Sequence, residues 1–200
     1  MTQIFVENTL LSVEEFEAKT KARFIPSLIV LRPQDETTIR SKIAALHKKG
    51  ELTKSQLWRG HYYQAEINRP PMPDVYLRWI DPILGWGVFA RRAFKKWEYI
   101  SEYTGILRKR RWRDRKNSYC FEYIYVSGEK TPFTIDAEEQ GGISRYINHS
   151  QNPNLTSMLA TLDNFSHILL VAARDIAPHE QLTYDYGPLY WAKREKPIEI

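Results

Sequence analysis

Asn148, His149, Ser150, Asn152 and Asn154 follow closely on Arg145, and so dense a set of hydrogen-bonding side chains must find partners wherever it is buried. A turn whose side chains satisfy their own backbone accounts for Asn148-His149-Ser150 taken alone. Two further clusters carry the same ambiguity. Gly85-Trp86-Gly87 either lets the backbone approach a ligand closely or simply turns a hairpin. Tyr184-Asp185-Tyr186-Gly187 ends in aromatics that either pack inward or line a pocket. Aromatic walls bearing a few hydroxyls can hold a cation face-on, exclude water and orient a lone pair.

Such clusters need a scaffold, and 200 residues with 42% apolar and 13% aromatic content can bury the core of one large domain or two small ones. The first seventy residues read as helical. Ser12-Val13-Glu14-Glu15 has the form of a capping box, with Leu11 and Phe16 placed as a hydrophobic staple, so a helix starts at Val13. Ile39, Ile43 and Leu46 mark a second helix that stops at Gly50, and Thr53 with Gln56 caps a third whose face is Trp58, Tyr62 and Ala65. Arg69-Pro70-Pro71-Met72-Pro73 cannot continue a helix and places a boundary there. After it the period changes to short strands: 75–79, 87–90, 99–103, 119–126, 133–135 and 167–173. In the longest, Tyr119, Phe121, Tyr123 and Tyr125 share one face, and Ser127 to Lys130 closes a hairpin. The organisation expected is a helical N-terminal segment over 1–73, a mainly β domain over 74–188 and a tail over 189–200.

Charge and cysteine content narrow the setting. A net charge of +5, from 29 basic and 24 acidic side chains, suits an acidic or nucleic-acid-bearing partner without requiring one. Its one concentrated run is Arg108 to Lys116, with Trp112 interleaved; a solvated face is the ordinary reading of such a run. A single cysteine, Cys120, rules out an internal disulfide and any cysteine-clustered zinc site, so a reducing compartment is expected. No membrane span and no secretory signal are expected.

Order and spacing decide among the readings. GWGVFARRAF (85–94), ISEYTG (100–105), IDAEEQGGISRYINHSQNPNL (135–155) and LTYDYG (182–187) together resemble the SET domain of protein lysine methyltransferases. The resemblance implies a mainly β fold of several small sheets, in which the Asn-His-Ser segment threads beneath the C-terminal loop as a pseudoknot. It implies S-adenosylmethionine as methyl donor, a lysine ε-amine as acceptor and no metal. By the same resemblance Tyr186 is the catalytic tyrosine, Tyr103 lines the amine channel, and Tyr184 holds a water that favours monomethylation. Gly85, Trp86, Gly87, Arg145, Asn148 and His149 form the donor pocket, and Trp191 or Tyr190 stacks on the adenine.

Departures from the family pattern are equally legible. Gln151 stands where many members place a zinc-binding cysteine, Trp97 and His179 stand at frequent glycines, Ile106 replaces a glutamate, and Gly142 replaces a frequent asparagine. The lack of zinc-binding cysteines resembles stand-alone bacterial members, chlamydial ones included. Histone or histone-like basic proteins are the implied partners, with Arg108 to Lys116 as the implied contact to nucleosomal DNA. The cytoplasm or nucleus is the implied location, a host nucleus if the chain is an exported bacterial effector. The competing reading is a catalytically silent SET-fold module that binds chromatin or nucleic acid.

Overall fold

The computed structural model describes residues 2–191. Helix α1 (Val13–Thr20) opens on a reciprocal cap: the Ser12 hydroxyl accepts from the Glu15 N–H at 3.2 Å, and the Glu15 carboxylate accepts from the Ser12 N–H at 2.8 Å. The helix buries Phe16 completely. Helix α2 (Pro33–Lys48) carries proline in its first turn, turns Ile39, Ile43 and Leu46 inward, and ends before Gly50 at φ 71°. Thr53 caps helix α3 (Lys54–Tyr62) by accepting the Gln56 N–H, and a short helix α4 (Gln64–Asn68) follows.

The third helix corrects one expectation. Trp58 and Tyr62 do share a face, with rings stacked at 4.6 Å, but each is 59% exposed and Ala65 belongs to α4. Gln56, Gly60 and Tyr63 point inward instead. The reason is close approach: a Cβ on Gly60 would lie 1.9 Å from the Thr161 carbonyl oxygen, so helix backbone rests directly on strand backbone. Gln56 Nε2 fastens the contact by donating to the Tyr125 carbonyl at 2.6 Å and to the Thr161 hydroxyl at 2.5 Å.

The segment before residue 74 also contributes strands, too short to show an alternation in sequence. Gln3–Val6 pairs antiparallel with Thr9–Ser12 and parallel with Val75–Asp81, which in turn pairs with Gly85–Ala90. Arg23–Phe24 pairs with Gln140–Gly141, and Ile29–Val30 with Ile106–Lys109. The strand expected over 119–126 is only Cys120–Glu122, because the Tyr123 carbonyl accepts the Thr131 hydroxyl and the ladder to Phe133–Asp136 ends there. Tyr123 and Tyr125 are buried nonetheless, and Gly128 at φ 86° turns the chain back. Leu155–Leu162, which its Thr, Ser and Ala residues hide from a reading of apolar alternation, pairs with Phe165–Ala172 across a turn in which Asp163 and Asn164 take φ of 48° and 57°. Tyr99–Glu102 extends that hairpin to a third strand.

The last pairing is the crossing. Asn148–His149 runs parallel to Thr183–Tyr184, joining segments far apart in sequence. Asn154 clips the junction: its Nδ2 donates to the Gln181 carbonyl and to Glu180, each at 2.8 Å, and its Oδ1 accepts the Thr183 N–H at 2.9 Å. Two apolar clusters meet beside it. One gathers Phe16, Leu77, Ile147 and Tyr184; the other gathers Ile39, Leu107, Tyr103 and Tyr123; Phe121 packs against both. No helix among the described residues is long and apolar enough to cross a membrane. The tail expected from 189 lies outside the described residues beyond Trp191.

Candidate active site

Three tyrosines converge on the seam between the clusters. Tyr103 leaves the end of strand Tyr99–Glu102, Tyr184 lies on the crossing strand, and Tyr186 follows two residues later. The Tyr184 and Tyr186 rings stand 4.8 Å apart, while Phe121 bridges Tyr103 at 4.9 Å and Tyr184 at 6.4 Å. The Tyr103 hydroxyl donates to the Tyr119 carbonyl and the Tyr186 hydroxyl to the Ile147 carbonyl, both at 2.8 Å. Burial, reinforced by the neighbouring phenols, pushes all three hydroxyls well above the usual tyrosine range. They stay neutral, and for Tyr103 and Tyr186 the proton is already committed to a carbonyl, so their oxygens offer lone pairs.

The polar segment forms the adjoining wall. His149 Nδ1 accepts the Tyr186 N–H at 3.2 Å, which leaves the ring proton on Nε2, and its ring sits 4.9 Å from Trp191. Trp191 lies parallel to Tyr186 at 6.1 Å, and Tyr190 meets Tyr186 edge-on at 4.7 Å. Asn148 Nδ2 donates to the Trp86 carbonyl at 3.3 Å, tying the segment to strand Gly85–Ala90. Arg145 is buried, donating from Nε to the Ala137 carbonyl at 2.7 Å and from Nη2 to the Glu138 carbonyl at 2.9 Å, with its guanidinium 4.2 Å over the Tyr119 ring.

These groups open on one cleft of about 1630 Å³. Gly85, Trp86, Arg145, Asn148, His149, Trp191 and the three tyrosines all border it. Gly87 does not: a Cβ there would meet Ile80 Cδ1 at 2.6 Å, so that face is filled by the protein itself. Sequence reasoning missed Lys19, whose Nζ lies 5.7 Å over the Trp86 ring, and Tyr119, whose carbonyl holds Tyr103. Lys19 comes from α1 through long-range packing that leaves no local signal; Tyr119 belonged to the aromatic face already marked. The basic run is divided. Arg108 is buried against Asp114 and Asp136, whereas Trp112 is 82% exposed.

Residues 85–187, more than half of the chain, match the SET domain family, and the chain belongs to that family. Over 112 residues it is 39% identical to the histone-lysine N-methyltransferase Set8 of Drosophila pseudoobscura pseudoobscura, covering 52% of this chain and 16% of the fly protein. Over 127 residues it is 35% identical to an H3 lysine-4 specific histone-lysine N-methyltransferase of Saccharomyces cerevisiae, covering 60% of this chain and 11% of the yeast protein. Among solved structures, ctPRC2 in an autoinhibited conformation bound to S-adenosylmethionine aligns with a TM-score of 0.52 at 27% identity, over 60% of this chain and 16% of that one. The chain thus spans a small part of the relatives it matches.

Proposed function

We propose that this chain is an S-adenosylmethionine-dependent protein-lysine N-methyltransferase that adds mainly one methyl group. The observation that carries the reading is the pair of hydroxyl oxygens, Tyr103 and Tyr186, whose protons are spent on carbonyls at 2.8 Å. A channel of aromatic faces with acceptor oxygens suits an alkylammonium guest. Freeing a lysine amine of its proton at neutral pH costs about 4.6 kcal/mol, and an apolar channel offsets part of that by disfavouring the charged form. Holding the amine in line contributes more, roughly 7 to 11 kcal/mol in well-oriented systems.

S-adenosylmethionine, when bound, supplies an electrophilic sulfonium methyl. Gly85, Trp86, Asn148, His149 and Trp191, which border the cleft, would hold it, with Arg145 behind them. Trp191 Nε1 is buried with no hydrogen-bond partner among the described residues, a donor that a polar heterocycle can satisfy. Tyr184, buried between Tyr186 and Phe121, limits the room for a second methyl. The names of the relatives make histones and histone-like proteins the first substrates to test. Incubation of the purified chain with labelled donor and such proteins should label lysine, and Tyr186→Phe should remove most of the signal. A wild-type chain that binds donor yet labels no lysine in any protein refutes the proposal and leaves the silent-module reading.

A further inference from the structure

We infer that the target lysine of this chain is flanked by acidic residues. The inference rests on the methyltransferase reading and concerns the same cleft, whose border carries Arg110, Arg111, Trp112, Arg115 and Lys130 together with two carboxylates, Asp114 and Glu122. Both carboxylates are already engaged. Asp114 accepts both terminal nitrogens of the buried Arg108, at 2.8 and 2.7 Å, together with the Arg111 N–H at 2.7 Å. Glu122 pairs with Arg110. Arg115 and Lys130 are exposed and form no ion pair with any described residue, so this border of the cleft keeps a positive surplus.

Fields of one sign at the mouth of a cleft attract the opposite sign and repel their own. A lysine entering the channel brings its neighbours with it, and an extended peptide advances about 3.3 Å per residue, so the flanking side chains come to rest on this border. Aspartate or glutamate there meets Arg115 and Lys130; lysine or arginine meets repulsion. The surplus has a second effect on the incoming amine, because nearby like charge favours its neutral form. A peptide is favoured over nucleic acid because the free cations line the same cleft as Tyr103 and Phe121, and the exposed Trp112 on that lining offers an apolar face for an aliphatic stem. A lysine- and arginine-rich tail is accordingly the poorer ligand within the histone class.

Fluorescence anisotropy on the full chain tests this directly, using labelled peptides with one central lysine in a neutral scaffold flanked by aspartate and glutamate or by lysine and arginine. The acidic-flanked peptide should bind about tenfold tighter at low salt, a gap that shrinks as salt is added. The double variant Arg115→Glu, Lys130→Glu should reverse the order. Equal affinities, or tighter binding of the basic peptide to the wild type, overturn the inference. So does a double variant that keeps the peptide preference but loses affinity for duplex DNA, since the border is then a nucleic-acid contact. Mass spectrometry of the same peptides separates the two readings. Methyl transfer without flank preference overturns the inference alone; flank preference without transfer to any lysine, in these peptides or in any protein tested, overturns the enzymatic reading and with it the target lysine.

Discussion

Tyr103 and Tyr186 owe their character to where their protons go, and Tyr184 owes its character to crowding. With both hydroxyl protons held by carbonyls at 2.8 Å, replacing Tyr186 by phenylalanine removes an acceptor oxygen and releases the Ile147 carbonyl. Tyr184 makes a different prediction. We propose that a water held by its hydroxyl would occupy the space that a methylated amine needs, and that displacing it would forfeit its hydrogen bonds. Tyr184→Phe should therefore shift the product toward di- and trimethyl-lysine while activity persists; mass spectrometry reads the distribution, and abundant trimethyl-lysine from the unaltered chain contradicts the idea. Asn148 sits beside the Trp86 carbonyl with its amide at the cleft. Asn148→Ala should weaken donor binding by roughly 1.5–3 kcal/mol, the usual cost of losing hydrogen bonds to a charged group. Calorimetry on a folded variant checks it, unchanged affinity being the adverse result.

Trp97 at φ 70° and His179 at φ 67° are among the non-glycine residues held in the left-handed region. That conformation costs an L-residue roughly 1–2 kcal/mol, of which glycine's greater freedom in the unfolded chain returns about 0.5–1. His179→Gly should raise stability by about 0.5–1 kcal/mol, read as a higher urea midpoint; a lower one would mean that the His179 edge contact with Tyr76, at 6.1 Å, outweighs the strain. Gly142 is the converse case. A Cβ there would meet Thr104 Oγ1 at 2.5 Å, and that hydroxyl is held on the Ile25 carbonyl at 2.9 Å, so the departure from asparagine matches its neighbour. Features of this kind sort by range. The caps of α1 and α3 and the end of α2 were legible because their chemistry lies within a few residues. The Asn-His-Ser and Tyr-Asp-Tyr-Gly motifs were legible only together, through a family pattern. The inward face of α3, the parallel partner of Gln3–Val6 and the reach of Lys19 to Trp86 depend on contacts distant in sequence, and no local spacing encodes them.

Burial of so many phenols shapes the whole molecule's response to pH. Desolvation raises Tyr99, Tyr103, Tyr123, Tyr184 and Tyr186 above the ordinary value, and pushes Tyr125 up to about 12. Above pH ~10 the unfolded chain sheds these protons while the folded one keeps them, so stability is complete below that point and falls as pH rises. The slope is about 1.4 kcal/mol per pH unit for each phenol still protonated only in the fold. Urea unfolding at about pH 8 and about pH 11 should show the loss, and equal midpoints would deny that the phenols are buried. The crossing of Asn148–His149 with Thr183–Tyr184 has a different consequence. A chain growing from its N-terminus can complete nearly every sheet while residues 183–186 are still to come, yet until they seat against Asn148 and His149 it has neither Tyr184 nor Tyr186 in place. Viewed in time, the aromatic wall of the cleft is the last part of this crossing to be assembled, and it is assembled in one step when that long-range pairing forms.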